Sequence, residues 1–467
     1  KRFFMGFNFE YEIKDFGNIE YAKIDVKPLT IIAGKNSTGK TFITKSLYAI
    51  LNTVNINHFY NESKKSLLAL EDIYHSFVEN VLEKRIAEIE KSFILDFNNN
   101  MEYFGKLIET CKKRTIEEQK KLLEKEKNKL LKIKNETVDF INSRKDLQKF
   151  KNKEEITSEF TNALIALFDN LTEYTSVIAD SISEVLKNHL KQNFQVIDTD
   201  NLLKFNSKKT SLHISSIGEI TLSKNSPLTF SFSLLGITEI QKLSNVVFFD
   251  SPIYTRIRKA LTKSKNRFSF LNFIDDEDNY LKGYPEYIDD LFEHLDKEYI
   301  DEPMFKDLSE KIGQLINGKL TVKKTSEIVY TDLNGNDIPL SLTAMGIGNI
   351  GVIDILLRNN TIKKGSFLIL DEPEVHLHPT WQVELARILF DIAKRGVNII
   401  LATHSIDLIK AFQVVFTQNN REAEDIIAIN KMPYSKEFYE LDGEARINEI
   451  LDDLSEAYYD LYLNKSL

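Results

Sequence analysis

The chain is poor in cysteine, in basic excess and in long apolar runs, and each shortage excludes something. A single cysteine, Cys111, among 467 residues rules out an internal disulfide framework and suits a reducing compartment, so a cytoplasmic location is expected. No apolar run reaches the length of a helical membrane span, so no membrane role is expected. There is no signal-like stretch at the start, and Lys1 stands where a methionine would, so a processed or trimmed N-terminus is expected. Lys and Arg number 61 against 70 Asp and Glu, and the net charge of −9 argues against broad, charge-driven affinity for DNA or RNA. A local basic patch stays open. What is present is a globular balance, 42% hydrophobic and 28% charged, on a length that suggests two or three domains.

Hydrophobic patterning divides the chain. Residues 1–57 alternate apolar and polar residues in strand-like runs, end in the buried-strand pattern PLTIIAG, and continue into a helix, KTFITKSLYAILNTV. Residues 58–205 are charged and almost free of glycine and proline, which reads as a helical insertion. Within it Ile116, Leu123 and Leu130 recur every seven residues, and Ile133 and Phe140 extend a second row. Gln119 and Glu126 interrupt the pattern, so a helical hairpin with short coiled-coil character fits better than a long coiled coil. Segment 156–190 carries a firmer stripe, Phe160, Leu164, Leu167, Phe168, Leu171, Tyr174, Ile178, Ile182 and Val185. Strand texture returns over 206–254, a second helical insertion covers 255–315, and 316–467 opens with a hairpin turning at Asn334-Gly335.

Three segments carry chemistry. GKNSTGKT, residues 34–41, has the Gly-x4-Gly-Lys-Thr pattern between a strand and a helix. Gly34, Lys35, Asn36, Ser37, Thr38 and Gly39 would wrap phosphates with backbone N–H groups, helped by the positive end of the helix that follows. Lys40 would meet the β- and γ-phosphates of ATP, and Thr41 would offer a hydroxyl to Mg²⁺. FLILDEPE places Asp371 and Glu372 at the end of a buried strand, Asp371 for Mg²⁺ and Glu372 to take a proton from the attacking water. NIILATHS delivers Thr403, His404 and Ser405, with His404 placed to sense the γ-phosphate. His376 and His378 raise a zinc reading, but no cysteine or clear third ligand lies nearby, and shaping the loop after the acids is the simpler role. Of two basic stretches, 112–134 is interleaved with glutamates and reads as a solvated face, while 256–267 keeps nucleic-acid contact open.

GKNSTGKT, LTAMG, FLILDEPEVHLHPTWQ and ILATHS, in that order, resemble the ABC-type ATPase heads of SMC-like proteins and, more closely, bacterial OLD-like ATPases. The resemblance is strong over 19–50 and 338–412 and weak between them. It implies an α/β P-loop NTPase head with a mixed sheet plus a large inserted helical region, and ATP sandwiched between two heads of a homodimer or higher homo-oligomer. A glycine-containing signature at a helix start then reaches the partner's γ-phosphate; Thr343 and Gly346 are the best matches, although Ala344 and Met345 depart from the family pattern. FFDSP at 248–252 stands where such heads carry a glutamine-containing loop, making Asp250 a candidate lining residue. OLD-like proteins often carry a nuclease domain, and the tail after ILATHS is too short for one. A separate nuclease effector and a phage-derived trigger are therefore expected, as in two-gene defence systems resembling Septu or PARIS. An SMC-like ATPase acting directly on DNA is the alternative; a transporter ATPase fits the helical insert poorly.

Overall fold

The computed structural model describes residues 7–80, 88–143, 151–268, 281, 283–323 and 325–464. The chain opens with strands β1 (Phe9–Phe16), β2 (Ile19–Val26) and β3 (Leu29–Gly34) and helix α1 (Lys40–Asn55). Helices α2 (His58–Asn80), α3 (Glu88–Cys111), α4 (Ile116–Ser143), α5 (Lys151–Thr172) and α6 (Tyr174–Phe194) follow. Then come β4 (Lys209–Ile214), β5 (Gly218–Ser223), β6 (Thr229–Phe232), α7 (Leu234–Gln241) and β7 (Val246–Phe249). Helices α8 (Ile253–Phe268), α9 (Tyr287–Leu295) and α10 (Lys306–Ile316) lead to β8 (Gly318–Val322), β9 (Ile328–Asp332) and β10 (Asp337–Pro339). The remainder is α11 (Met345–Arg358), β11 (Phe367–Asp371), α12 (Pro379–Lys394), β12 (Asn398–Thr403), α13 (Ile406–Ile426), β13 (Ile427–Met432), α14 (Lys436–Tyr439) and α15 (Gly443–Asn464).

Contacts divide the chain into one unit of 1–53, 186–229 and 243–467 and another of 54–185 and 230–242. The first unit is α/β. Its central sheet runs β13-β3-β12-β11-β7, with every pairing parallel. Strands β3, β11 and β12 are buried at every position, which is why LTIIAG, FLILD and NIILAT are nearly unbroken apolar runs: both faces of a parallel sheet are covered. A second sheet, β2-β1-β4-β5-β6, has one half-exposed face; β1 buries Phe9, Tyr11, Ile13 and Phe16 and turns its charges outward. The expected mixed strand set is thus distributed over a parallel and an antiparallel sheet, because continuous and alternating apolar patterns need different covers.

The hairpin expected at Asn334-Gly335 is present as β9–β10, extended by β8 into a three-stranded meander. Its turn is held by Asp332, whose carboxylate accepts from the N–H groups of Asn334 and Asn336. Residues 255–315, read as a second insertion, belong to the α/β unit; α9 buries Tyr287, Ile288, Leu291 and Leu295 there. In the basic stretch 256–267, Arg256 donates to the Thr343 carbonyl (2.6 Å) and the buried Arg258 pairs with Asp296, so both guanidinium groups have structural uses. The side chains of that stretch from Thr262 onward lie outside the described residues.

The second unit corrects the hairpin. It is a bundle of several helices, and its core is aromatic: Phe77 stacks on Phe160 at 4.6 Å between ring centroids, and Phe104 meets Phe168 edge-on at 5.3 Å. The stripe read over 156–190 is broken at Glu173 into α5 and α6. Phe160, Leu164, Leu167, Phe168, Leu171, Ile178 and Ile182 are buried, Val185 is half-buried, and the Tyr174 side chain lies outside the described residues. The polar interruptions also have causes. Gln119 is buried because its amide donates to the carbonyls of Cys111 and Arg114 (2.9 and 3.0 Å), closing the end of α3, and Glu126 accepts from Tyr103 (2.7 Å). Along α4, Lys121 pairs with Glu117 one turn away, as a solvated face does. Among the described residues no helix is long and apolar enough to cross a membrane.

Candidate nucleotide site

The carboxyl ends of β3, β12, β11 and β7 lie along one edge of the parallel sheet, the edge where open α/β sheets bind ligands. The loop after β3 lines a cleft of about 540 Å³ with Asn36, Ser37, Thr38, Gly39, Lys40 and Thr41. Gly39 adopts φ +98°, and a Cβ there would lie 2.5 Å from the Ile19 side chain, so both conformation and space demand glycine. The Thr38 hydroxyl donates to the Lys35 carbonyl at 2.8 Å, and Asn18, from the β1–β2 turn, donates to the Ser37 carbonyl at 2.6 Å. Lys40 is buried and donates to the carbonyls of Gly34 (2.9 Å) and Lys35 (3.0 Å). Burial lowers its ammonium pKa, an effect opposed by the nearby carboxylates of Glu372, Asp371 and Glu374. Lys35 takes a different course. Its side chain turns to α15 and pairs with Glu456 (2.6 Å) and Asp453 (3.2 Å), leaving only its backbone in the loop.

Asp371 ends β11, buried, with the Thr41 hydroxyl donating to its carboxyl group and Oδ1 without a partner among the described residues. Burial, with Glu372 and Asp250 nearby, pushes its pKa up to about 6 from 3.8. An orphaned, costly carboxylate oxygen beside a hydroxyl suits a hard cation such as Mg²⁺. The raised pKa also fixes a sign. The folded protein holds this proton more tightly than the unfolded chain, so the associated stability is full below pH 4 and is lost as pH rises through 6, at a cost of roughly 3 kcal/mol. Asp371→Asn is therefore expected to raise the melting temperature of metal-free protein at pH 8 and to converge with the parent near pH 4. Parallel pH profiles for the two proteins would refute the assignment.

Glu372, next in the chain, has φ +53°, unusual for a residue with a side chain. Its N–H donates to Ala402 O on β12 (2.9 Å), and its Oε1 lies 2.8 Å from His404 Nδ1. Both side chains line the cleft facing the P-loop. Thr403 donates its hydroxyl to the buried Glu374 carboxyl group, and Ser405 caps α13. His378 caps α12 by accepting from Thr380 N–H, and His376 sits at φ +66° in the loop, so both shape the chain after the acids.

Thr343 and Gly346 do not line this cleft. The Thr343 hydroxyl donates to Leu340 O (2.8 Å), and Gly346 lies in the first turn of α11, packed so tightly that a Cβ would lie 2.9 Å from His376 O. Asp250, at the end of β7, accepts from Tyr287 OH at 2.5 Å. Sequence reading missed several neighbours. Lys45 faces Asp250 and Asp371, with its ammonium 5.3 Å from the centre of the Tyr287 ring, and burial lowers its pKa. Its signal was available, since it lies one helical turn after Thr41 on α1. Asn18, Phe42 and Tyr287 had no such signal.

A strand–P-loop–helix unit facing an acidic strand end and a histidine in one α/β sheet defines a P-loop nucleotide-binding protein. The AAA ATPase domain family model matches residues 10–409, and the chain belongs to that family. No curated protein matches significantly. Among solved structures, the chain is similar to the Smc head domain of Pyrococcus furiosus bound to the C-terminal domain of ScpA. Identity is 10% over 87% of this chain and 92% of that one, with a TM-score of 0.37. The SMC head domain of Thermotoga maritima gives 10% identity, coverage of 86% and 91%, and a TM-score of 0.31. CbiO1 of Clostridium perfringens, part of the ABC transporter complex cbiONQ, gives 16%, coverage of 54% and 75%, and 0.22. Likenesses of this strength bear on neither mechanism nor partners.

Proposed function

We propose that the chain hydrolyses ATP as a switch: as one head of a homodimer it controls a separate effector, a nuclease, in a bacterial defence complex that answers a phage-derived trigger. The hydrolytic part rests on one observation, the Glu372–His404 pair in the same cleft as Lys40 and the P-loop. The loop's N–H groups and Lys40 bind and orient the β- and γ-phosphates. Lys40 exchanges its contacts with the Gly34 and Lys35 carbonyls for phosphate oxygens. Glu372 takes the proton of the attacking water, and His404 holds that carboxylate and meets the γ-phosphate. Thr41 and Asp371 would hold Mg²⁺, which supplies neutralising charge to the phosphate oxygens when bound. Dimerisation, effector and trigger rest on the OLD-like resemblance, an argument by analogy. For dimerisation alone, α11 adds support: among the described residues its first turn has no side-chain cap, and its signature-like residues lie away from the chain's own cleft.

Thr343→Ala is expected to leave the nucleotide affinity of the monomer within threefold and to reduce ATP-dependent dimerisation, read by light scattering with Glu372→Gln protein to hold ATP intact. Equal dimerisation with and without Thr343 would remove the signature from the proposal. ATP-stimulated, salt-dependent DNA binding by the purified chain would instead favour the SMC-like alternative.

A further inference from the structure

The loop that follows the catalytic carboxylate is an unusual stretch of backbone. Glu372 and His376 both sit at positive φ. Two tight turns join them, with Val375 N–H donating to Glu372 O (3.2 Å) and Leu377 N–H to Glu374 O (2.9 Å). Such a conformation persists only where its surroundings hold it. The surroundings here include a side chain from a distant helix: Asn349 of α11, 3% exposed, donates its amide to Pro373 O (3.3 Å) and Val375 O (2.7 Å). From the other side Gln382 of α12 donates to Leu377 O (3.1 Å) and accepts from Ser405 Oγ (2.8 Å), next to His404. Gly346, one turn before Asn349, brings α11 close enough for these bonds, because a Cβ there would meet His376 O at 2.9 Å.

Asn349 is the wrong residue for a purely hydrophobic helix face. It stands among Gly348, Ile350, Gly351, Val352 and Ile353, all buried, and its Oδ1 has no partner among the described residues. A buried amide with an unsatisfied oxygen costs stability, so its two donated bonds must offset that cost.

We infer that Asn349 is a positioning residue for hydrolysis: it clamps the 373–375 backbone onto α11 and so holds Glu372 at the angle from which its carboxylate faces the P-loop and His404. The inference rests on the proposed role of Glu372 as the base. It also joins the first turn of α11, at Gly346 and Asn349, to the loop that carries Glu372.

The test uses the full chain and four proteins: parent, Glu372→Gln, Asn349→Ala and Gly351→Ala. Gly351 is on the same helix but packs on Leu320, where an added Cβ would lie 2.5 Å from the side chain, so its variant strains α11 without touching the loop. The expected result for Asn349→Ala is a kcat lower by about 10- to 100-fold, the effect of misplacing a reacting group by a fraction of an ångström to an ångström. Affinity for a non-hydrolysable ATP analogue stays within threefold, and the amides of Val375 and Leu377 exchange faster with solvent. Gly351→Ala lowers the melting temperature and keeps kcat. An Asn349→Ala protein with unchanged kcat, or with unchanged exchange at those two amides, overturns the inference, as does equal loss of kcat in Gly351→Ala. Should Asn349→Ala not fold, Asn349→Ser, which retains one donor, carries the same comparison. Unchanged hydrolysis in Glu372→Gln would instead bring down the reading of Glu372, and the exchange measurement would still judge the clamp.

Discussion

Glu372→Gln lowers the rate of ATP hydrolysis by about 10²- to 10⁴-fold, the range associated with removing a general base, while ATP still binds. The amide keeps the size and part of the polarity of the carboxylate, so it can remain beside His404, 2.8 Å away in the parent protein. What it cannot do is accept a proton from water. The substitution leaves untouched the groups assigned to phosphate binding, Lys40 and the loop N–H groups, so nucleotide affinity stays within a fewfold. Single-turnover hydrolysis and equilibrium binding of a fluorescent ATP analogue separate the two effects. Hydrolysis at the parent rate would show that the base lies elsewhere, and Glu374, buried with one oxygen that has no partner among the described residues, would be the next residue to examine.

Lys40→Ala lowers nucleotide affinity by about 10- to 100-fold or more, and Lys35→Ala changes it less than threefold. The contrast is the informative part, because both lysines lie in the same eight-residue motif. Charge-assisted hydrogen bonds contribute about 1.5–3 kcal/mol each, so losing even one from Lys40 to a phosphate oxygen accounts for the lower limit. Lys40 also braces the loop through the Gly34 and Lys35 carbonyls, and its loss loosens the cradle itself. The Lys35 ammonium is half-exposed and paired with Asp453 and Glu456, an arrangement typical of surface ion pairs worth little. Isothermal titration of both variants with ATP checks the pair. Equal losses would mean that Lys35 leaves α15 when nucleotide binds.

The parts of the site that were legible in the sequence are those whose chemistry is local. A phosphate loop needs glycines, a lysine and a hydroxyl within a few residues of one another, at a strand-to-helix turn, so GKNSTGKT could be read without any fold. The acids after FLIL and the histidine after NIILAT were legible for a related reason. Buried parallel strands are unbroken apolar runs, and the first charged residue after such a run stands at the sheet's edge. By contrast, the partner of each of these groups depends on strand order. Glu372 meets His404 because β11 lies beside β12, and Asp250 approaches Asp371 because β7 lies on the other side of β11.

The helical unit shows the opposite case. Heptad spacing in 116–140 is real, and the side chains at those positions are buried or half-buried, yet a repeat of seven does not say how many helices share the core. The aromatic contacts of Phe77, Phe104, Phe160 and Phe168 decided that, and each joins residues more than sixty positions apart.

The glycines of SLTAMGIGNIG mark the boundary between the two kinds of information. In the sequence the resemblance marked one of them, Gly346, as part of a signature at a helix start that meets a phosphate. Tertiary structure adds a second cause: Gly346 and Gly351 remove side chains where α11 presses on the His376 backbone and on Leu320, and Asn349 uses the resulting closeness to hold the loop after Glu372. By itself, then, the sequence determined the P-loop, the acidic strand end, the histidine strand and the α/β class, because short-range chemistry and strand burial write themselves into neighbouring residues. Only the tertiary structure decided which carboxylate meets which partner, how many helices share one core, and why Asn349 is an asparagine, because those depend on contacts between segments that the order of residues does not bring together.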